Sequence, residues 1–361
     1  MPDTHKEDGM IRDREKFVWT LSLFLFVFSW YSSVEASIGK IRDMSGNVSF
    51  REKNNIPYQN AHKGLDMEKG YWIRTGADGW AIISLSDGSR LTLSNNTELE
   101  ITEYVIGKNR KDGVFSVTQG KLRASVTRLS NDRVDYRVKS PTAVAGIKGT
   151  EFLMMTQGQA NVFFGNEGAA EIKGGETSGK PLGVDTMVQN TRGYTPTDPV
   201  EIKPDTPLHK AKKDFEAVTS AKPPREWELS DNLPHIIARW NINYGHYLAD
   251  SGKYEEAMYV FQIALDLTGN PEIRSDARLE RGAVYSRFLR NSEAALSEYL
   301  LVLEEYPDTS QSETALYLAG MTLYELGFSK QARERLQQYK KGYPAGRYMG
   351  NVETILNILE K

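Results

Sequence analysis

Apolar and polar positions alternate on either side of Asp87-Gly88-Ser89, with Ala81, Ile83 and Leu85 in phase before it and Leu91 and Leu93 in phase after it. A period of two places such residues on one face of a strand, so Thr75 to Leu93 predicts two strands joined at that turn. Asp-Gly between alternating runs signals a hairpin or tight turn, because glycine accepts the positive φ that the turn needs. Short runs of the same kind continue from Ser37 to about Met187, punctuated by Gly, Asn and Asp. The further inward sets they predict are Val48/Phe50, Trp72, Leu99/Ile101, Phe115/Val117, Leu122, Val134/Tyr136/Val138, Phe152/Met154, Val162/Phe164 and Ala170/Ile172. Many short strands at this spacing predict an all-β region, as a sandwich, barrel or solenoid. Lys108 to Lys111 reads as a solvated basic loop, and Gly149-Thr150 as a turn.

From Ile236 to Lys361 the period changes to that of helices, and a repeat appears. Gly245, Gly282 and Gly320 recur 37 and 38 residues apart, each followed by a small residue (Ala257, Ala295, Ala332) and a large one (Phe261, Tyr299, Leu336). Stacked helical hairpins explain the pattern: the small residues let paired helices approach, and the large ones fill the space between repeats. Between the halves, prolines at 181, 196, 199, 204, 207, 223, 224 and 234 interrupt a mostly polar stretch. It predicts a partly extended connector, with one short helix over Leu208 to Val218 and a half that folds independently on either side.

The run Phe17 to Tyr31 follows Arg12, Arg14 and Lys16 and precedes Val34-Glu35-Ala36. It predicts a signal peptide over residues 1–36, cleaved before Ser37, and export to the periplasm. The alternative is an inner-membrane anchor formed by residues 17–31, although a spanning helix usually needs about 20 apolar residues. Asp3, Glu7 and Asp8 dilute the basic start that export prefers, so translation from Met10 is expected.

Composition removes several classes of function. Hydrophobic residues at 39% and charged residues at 26% describe a globular chain. The net charge is −3, of which residues 1–36 carry −2, so nothing argues for nucleic acid or an anionic membrane surface. There is no cysteine, which excludes disulfides, thiolate catalysis and sulfur-ligated metals. The five histidines are scattered, and no nucleophile elbow, P-loop or zinc-protease motif occurs. No catalytic residue, metal or cofactor is expected, and the chain reads as a non-enzyme.

Four patterns in the β-rich half occur in the order found in FecR-like domains. They are Gly70 to Gly76 leading into the Asp87 strand pair, Asn96 to Leu99, Phe115 to Leu122, and Ser140 to Phe152 with its Gly149-Thr150-Glu151-Phe152 ending. The stretch thus resembles that family over about residues 38–190. The resemblance implies a periplasmic β-domain of solenoid-like or rolled sheets, with a sandwich as the alternative. In family members that regulate iron uptake, such a domain receives a signal from an outer-membrane receptor, and a separate cytoplasmic segment controls a sigma factor. This chain departs from that plan, having 16 residues before its apolar run.

The helical half resembles tetratricopeptide (TPR) repeats over residues 238–345, with a capping helix from about Arg347 to Leu359. The expected plan is therefore a signal peptide (1–36), a FecR-like β-domain (37–190), a proline-rich linker (191–235) and a TPR-like solenoid (236–361). The resemblance implies a protein-binding groove lined by the first helix of each pair. Its positions fall on Arg239, Ile242, His246, Asp250, Leu279, Ala283, Arg287, Tyr317, Met321 and Tyr324. Arg239, His246, Arg287, Tyr317, Met321 and Tyr324 are the candidate contacts for envelope proteins. Trp72 and Trp80 are the candidates for stacking on peptidoglycan, which is the competing partner. Contact with a membrane is expected only if the N-terminal segment stays uncleaved.

Overall fold

The computed structural model describes residues 37–107, 110–127, 133–147, 149–224 and 226–360. The expected signal peptide, the Met10 start and the inward placement of the Val134 side chain lie outside what is described. The first strands are β1 (Gly39–Ser45), β2 (Val48–Arg51), β3 (Gln59–Asn60), β4 (Asp66–Met67), β5 (Trp72–Thr75), β6 (Trp80–Leu85), β7 (Arg90–Leu93) and β8 (Glu98–Gly107). After them come β9 (Arg110–Ser125), β10 (Arg133–Lys139), β11 (Val144–Ile147), β12 (Glu151–Gln157), β13 (Ala160–Glu167) and β14 (Ala170–Lys173). The last are β15 (Lys180–Leu182), β16 (Thr186–Thr191) and β17 (Val200–Glu201).

Their pairing resolves into two sheets that share β9. One sheet runs β4-β1-β6-β7-β9-β12-β13-β16-β17, and the other β3-β2-β5-β8-β9-β10-β11-β14-β15. Arg110 to Gln119 pair with β8, and the start of the same stretch pairs in parallel with β10. Gly120 to Ser125 pair with β12. Gly120, at the crossing, has φ +107°, and a Cβ there would come within 2.4 Å of Thr97. Only glycine combines that conformation with so close a backbone approach.

The facing sides of the two sheets bury one apolar core. Ile41, Ile83, Leu91, Leu122, Phe152 and Phe163 enter from the first sheet, and Val48, Leu99, Phe115, Tyr136, Val138 and Ile172 from the second. Most of the expected inward sets are there, Ala81/Ile83/Leu85 and Leu91/Leu93 among them. Trp72 is not: Ile73 and Thr75 take the inward positions of β5, and Trp72 lies half-buried on the opposite face. There the Arg51 guanidinium covers its ring at 4.6 Å, and Arg51 also lies 4.7 Å from the Tyr58 ring.

The turn at Asp87 is also more than a hairpin tip. Gly88 has φ +87°, as the turn demands. Gly88→Val should therefore cost about 1–3 kcal/mol, and an unchanged denaturation midpoint would contradict that strain. The Asp87 carboxylate folds inward and accepts from Tyr136 Oη (2.8 Å), Ser89 Oγ (2.8 Å), Ser89 N (3.0 Å) and Tyr104 Oη (3.3 Å). Lys111, expected in a solvated loop, is buried, because it falls in the inward phase of Gly113, Phe115 and Val117 on β9. Its ammonium lies 3.6 Å from Asp87 Oδ2.

The far side of β12, β13 and β16 in the first sheet is buried as well, by helices. α1 (Pro207–Val218), α2 (Glu228–Asp250), α3 (Tyr254–Leu267), α4 (Pro271–Arg287), α5 (Ser292–Glu305), α6 (Ser312–Glu325), α7 (Ser329–Gly342) and α8 (Met349–Leu359) follow the strands. β12 and β13 are apolar on both faces: Phe152 and Met154 point to the other sheet, whereas Leu153, Met155, Val162 and Phe164 meet the helices. Val162 and Phe164, expected to face the inter-sheet core, thus belong to a second core with Leu208, Phe215, Leu233, Ile237, Phe261 and Ala264.

The stretch expected as an extended connector is therefore largely packed. Val200 and Glu201 add a strand to the sheet. Thr206 caps α1 by accepting from His209 N, Pro207 suits its first turn, and Leu208, Ala211, Phe215 and Val218 form its buried stripe. Pro234 sits inside α2, which starts eight residues before Ile236. Polar pins reinforce the docking. Asn95 donates to Asp231 Oδ1 (2.8 Å) and accepts from Ser230 Oγ (2.6 Å). The side-chain amides of Gln189 and Asn241 exchange two hydrogen bonds (2.5 and 3.0 Å), and Arg192 grips Asp266 through two nitrogens (2.8 and 2.9 Å). Burial brings the Lys121 ammonium beside this interface down to about 8, against the pull of Asp231. Residues 38–361 form one compact unit, in which sheet and helices pack against each other.

Within the helices, α2/α3, α4/α5 and α6/α7 are antiparallel hairpins, and α8 closes the stack. A Cβ on Gly245, Gly282 or Gly320 would come within 2.6, 2.3 or 2.6 Å of Phe261, Tyr299 or Leu336, each a buried side chain of the partner helix. Gly282→Ala should then cost about 1–3 kcal/mol by overpacking, even though alanine is the better helix former. A stabilised variant in thermal melts would show that the contact is loose.

Candidate functional site

The first helices of the hairpins, α2, α4 and α6, carry the expected groove positions. On α2, Arg239, His246 and Asp250 are exposed, while Ile242 turns into the core. On α4, Arg287 is exposed and Leu279 and Ala283 are half-buried, Leu279 against the Tyr299 cluster. On α6, Tyr317, Met321 and Tyr324 are half-buried at a spacing that keeps them on one stripe.

Neighbouring helices are tied across this face. His246 Nδ1 lies 3.0 Å from Glu280 Oε2 of α4, and its Nε2 lies 3.6 Å from Asp250. The bond to Glu280 raises the His246 pKa above its ordinary value, with Asp250 adding to the effect and Arg287 opposing it. Asp276, one helix along from Arg239, has its carboxyl pushed up by burial and by Glu280, and Arg239 opposes that shift. The surface thus alternates basic and acidic groups: Arg239 faces Asp276, and His246 faces Glu280 beside Arg287.

A raised folded-state pKa means that the stabilisation from His246 is fully present below its unfolded pKa. It is lost as the pH rises through the raised folded value. The effect on stability is small at so exposed a site, so the expected readout is direct. Proton NMR should find His246 titrating above an ordinary histidine, and Glu280→Gln should remove most of the difference; identical titrations would mean that the pair does not form.

Tyr317 is not free to receive a ligand face. Its ring stacks on Tyr348 with centroids 4.1 Å apart and planes 1° apart, and its hydroxyl accepts from Asn351 at 3.1 Å. The capping segment therefore occupies the position expected for a partner's side chain. Arg239, His246, Arg287, Met321 and Tyr324 make up the remaining stripe. Asp276 and Glu280, missed in the sequence, belong to the same face. Asp276 stands six residues before Gly282, as Arg239 stands six before Gly245, and that offset was the signal that pointed to it.

Of the peptidoglycan candidates, Trp72 carries Arg51 on its ring, and Trp80 is half-buried on β6. Among the described residues, no group of three or more His, Asp or Glu side chains is placed to hold a metal ion. Among the same residues, no helix is long and apolar enough to cross a membrane.

Comparison with known proteins finds no match among curated sequences. Among solved structures, a protein provisionally described as an anti-sigma factor from Parabacteroides distasonis aligns at 14% identity and a TM-score of 0.31. That alignment covers 40% of this chain and 64% of the other, so this chain spans under two thirds of that protein's length. The second TPR domain of human RPAP3, solved with an HSP70 peptide, aligns at 19% identity and a TM-score of 0.30 over 36% of this chain and 98% of that one. The Yersinia enterocolitica type III secretion chaperone SycD, solved with a peptide of the translocator YopD, aligns at 18% identity and a TM-score of 0.30, covering 34% and 91%. Scores at this level carry no functional assignment. The FecR protein family model, by contrast, matches residues 72–187, from the start of β5 into β16, and the paired sheets therefore contain a FecR domain.

Proposed function

We propose that this chain is an exported, non-catalytic adaptor of a bacterial cell envelope that binds other proteins along the face of α2, α4 and α6. The observation that carries the reading is the stripe Arg239, His246, Arg287, Met321 and Tyr324, charged, aromatic or flexible side chains that the repeat core does not use. Arginine and tyrosine tend to dominate binding energy at interfaces, and alternating charge selects a polar, extended partner. The FecR domain acts as a second binding or sensing module on the same rigid frame. Helix α2 supports that coupling, because it carries Arg239 and His246 on one side and holds the sheet through Ser230, Asp231 and Asn241 on the other.

Arg287→Ala combined with Tyr324→Ala should abolish capture of envelope proteins while leaving helical content and melting temperature nearly unchanged. Capture at full strength by this variant would remove the groove assignment. The FecR match supports one second reading, a signal-receiving regulator held in the membrane by residues 17–31. Cell fractionation separates the two, since the adaptor reading places the mature chain in the soluble periplasmic fraction and the regulator reading places it in the inner membrane.

A further inference from the structure

Lys111, in the inward phase of β9, meets Asp87 of the β6–β7 turn inside the inter-sheet core. The Lys111 side chain is 4% exposed and that of Asp87 is 0% exposed. The ammonium nitrogen lies 3.6 Å from Asp87 Oδ2 and makes no hydrogen bond among the described residues. A buried ammonium normally gathers acceptors around its three protons, because losing water without replacing its bonds is costly. Around its partner Asp87 stand Tyr104 and Tyr136, whose rings pack with that of Phe115 at 5.9–6.4 Å from one another. The carboxylate, by contrast, is held from four directions, by two phenols, the Ser89 hydroxyl and the Ser89 backbone N–H. One group is immobilised and polarised, and the other approaches it without any competing partner.

We propose that Lys111 Nζ and the Asp87 carboxyl condense into an amide, a covalent cross-link between the β6–β7 turn and strand β9. In the first step the ammonium gives a proton to the carboxylate, leaving an amine and an acid 3.6 Å apart. The amine lone pair attacks Asp87 Cγ and forms the new C–N bond. The Tyr136 hydroxyl, 2.8 Å from Oδ2, relays a proton from nitrogen to that oxygen, which departs as water with the electrons of the broken C–O bond. One C–N bond forms, one C–O bond breaks and one water leaves, with no oxidant or activating co-reactant. In water the equilibrium would oppose the amide. Fixed neighbours, however, react with effective concentrations on the order of 10⁵–10⁸ M, and burial keeps hydrolytic water away. The link would staple the first sheet, through its β6–β7 turn, to the part of β9 that belongs to the second sheet.

A tryptic map of the full chain by mass spectrometry tests this. The expected result is a branched peptide that joins the segment containing Asp87 to the one containing Lys111, one water lighter than the two together. Lys111→Arg should return both segments as separate, unmodified peptides. Recovery of the unmodified segments from the wild-type chain, with no branched species after prolonged incubation of folded protein, would overturn the proposal and leave an ordinary buried ion pair.

Discussion

Phe215→Ala should lower the stability of residues 38–361 by about 3–5 kcal/mol, the range for truncating a fully buried aromatic. Phe215 is inaccessible to solvent, and its ring meets Phe164 of β13 edge-on at 6.1 Å and 86°. The cavity would open between the sheet and α1, where Leu208, Ala211 and Val218 share the same contact. Both the helical signal at far-ultraviolet wavelengths and the tryptophan fluorescence, to which Trp72 and Trp80 of the sheets and Trp227 and Trp240 at α2 contribute, should shift to the same lower denaturant midpoint. A loss near zero would mean that α1 is a loose strap, as a proline-rich connector would be.

Asp87→Ala is expected to cost a similar amount, about 3–5 kcal/mol, because it strands the Lys111 ammonium in an apolar site and removes the acceptor of Tyr136. Replacing both members by apolar groups, Asp87→Leu with Lys111→Met, removes the unpaired charge and should recover that share of the loss, leaving only the share due to the missing cross-link. Equilibrium unfolding of the two variants decides the point. If the single change proves mild, the lysine has a route to water that its burial denies.

Much of the β-fold and of the repeat was legible because its periods are strict. Ala81, Ile83 and Leu85 alternate cleanly, and the recurring Gly245, Gly282 and Gly320 mark where an aromatic ring or a leucine side chain must fit against a helix backbone. What escaped the reading has a physical reason too. β12 and β13 are apolar without alternation, and a run such as Phe152-Leu153-Met154-Met155 signals a strand covered on both faces. Only one cover was sought for it, so the helical layer and the packing of α1 were missed.

The candidate groove positions were partly legible. The resemblance to tetratricopeptide repeats put Arg239, His246, Arg287, Met321 and Tyr324 on the first helix of each hairpin, and the structure has them on α2, α4 and α6. Tyr317 was taken by Tyr348, which lies 31 residues further along the chain and outside the repeat pattern. Lys111 was misread because a basic cluster usually lies in solvent. The phase of β9 contradicted that reading, since Phe115 and Val117 point the same way.

The central claim is that the first sheet and the first helices share a core, so that sheets and helical repeats unfold as one body. Differential scanning calorimetry of the chain from residue 37 onward tests it most directly. A single transition is expected, with its calorimetric enthalpy equal to the van't Hoff enthalpy; two resolved transitions, one for the sheets and one for the helices, would contradict the shared core.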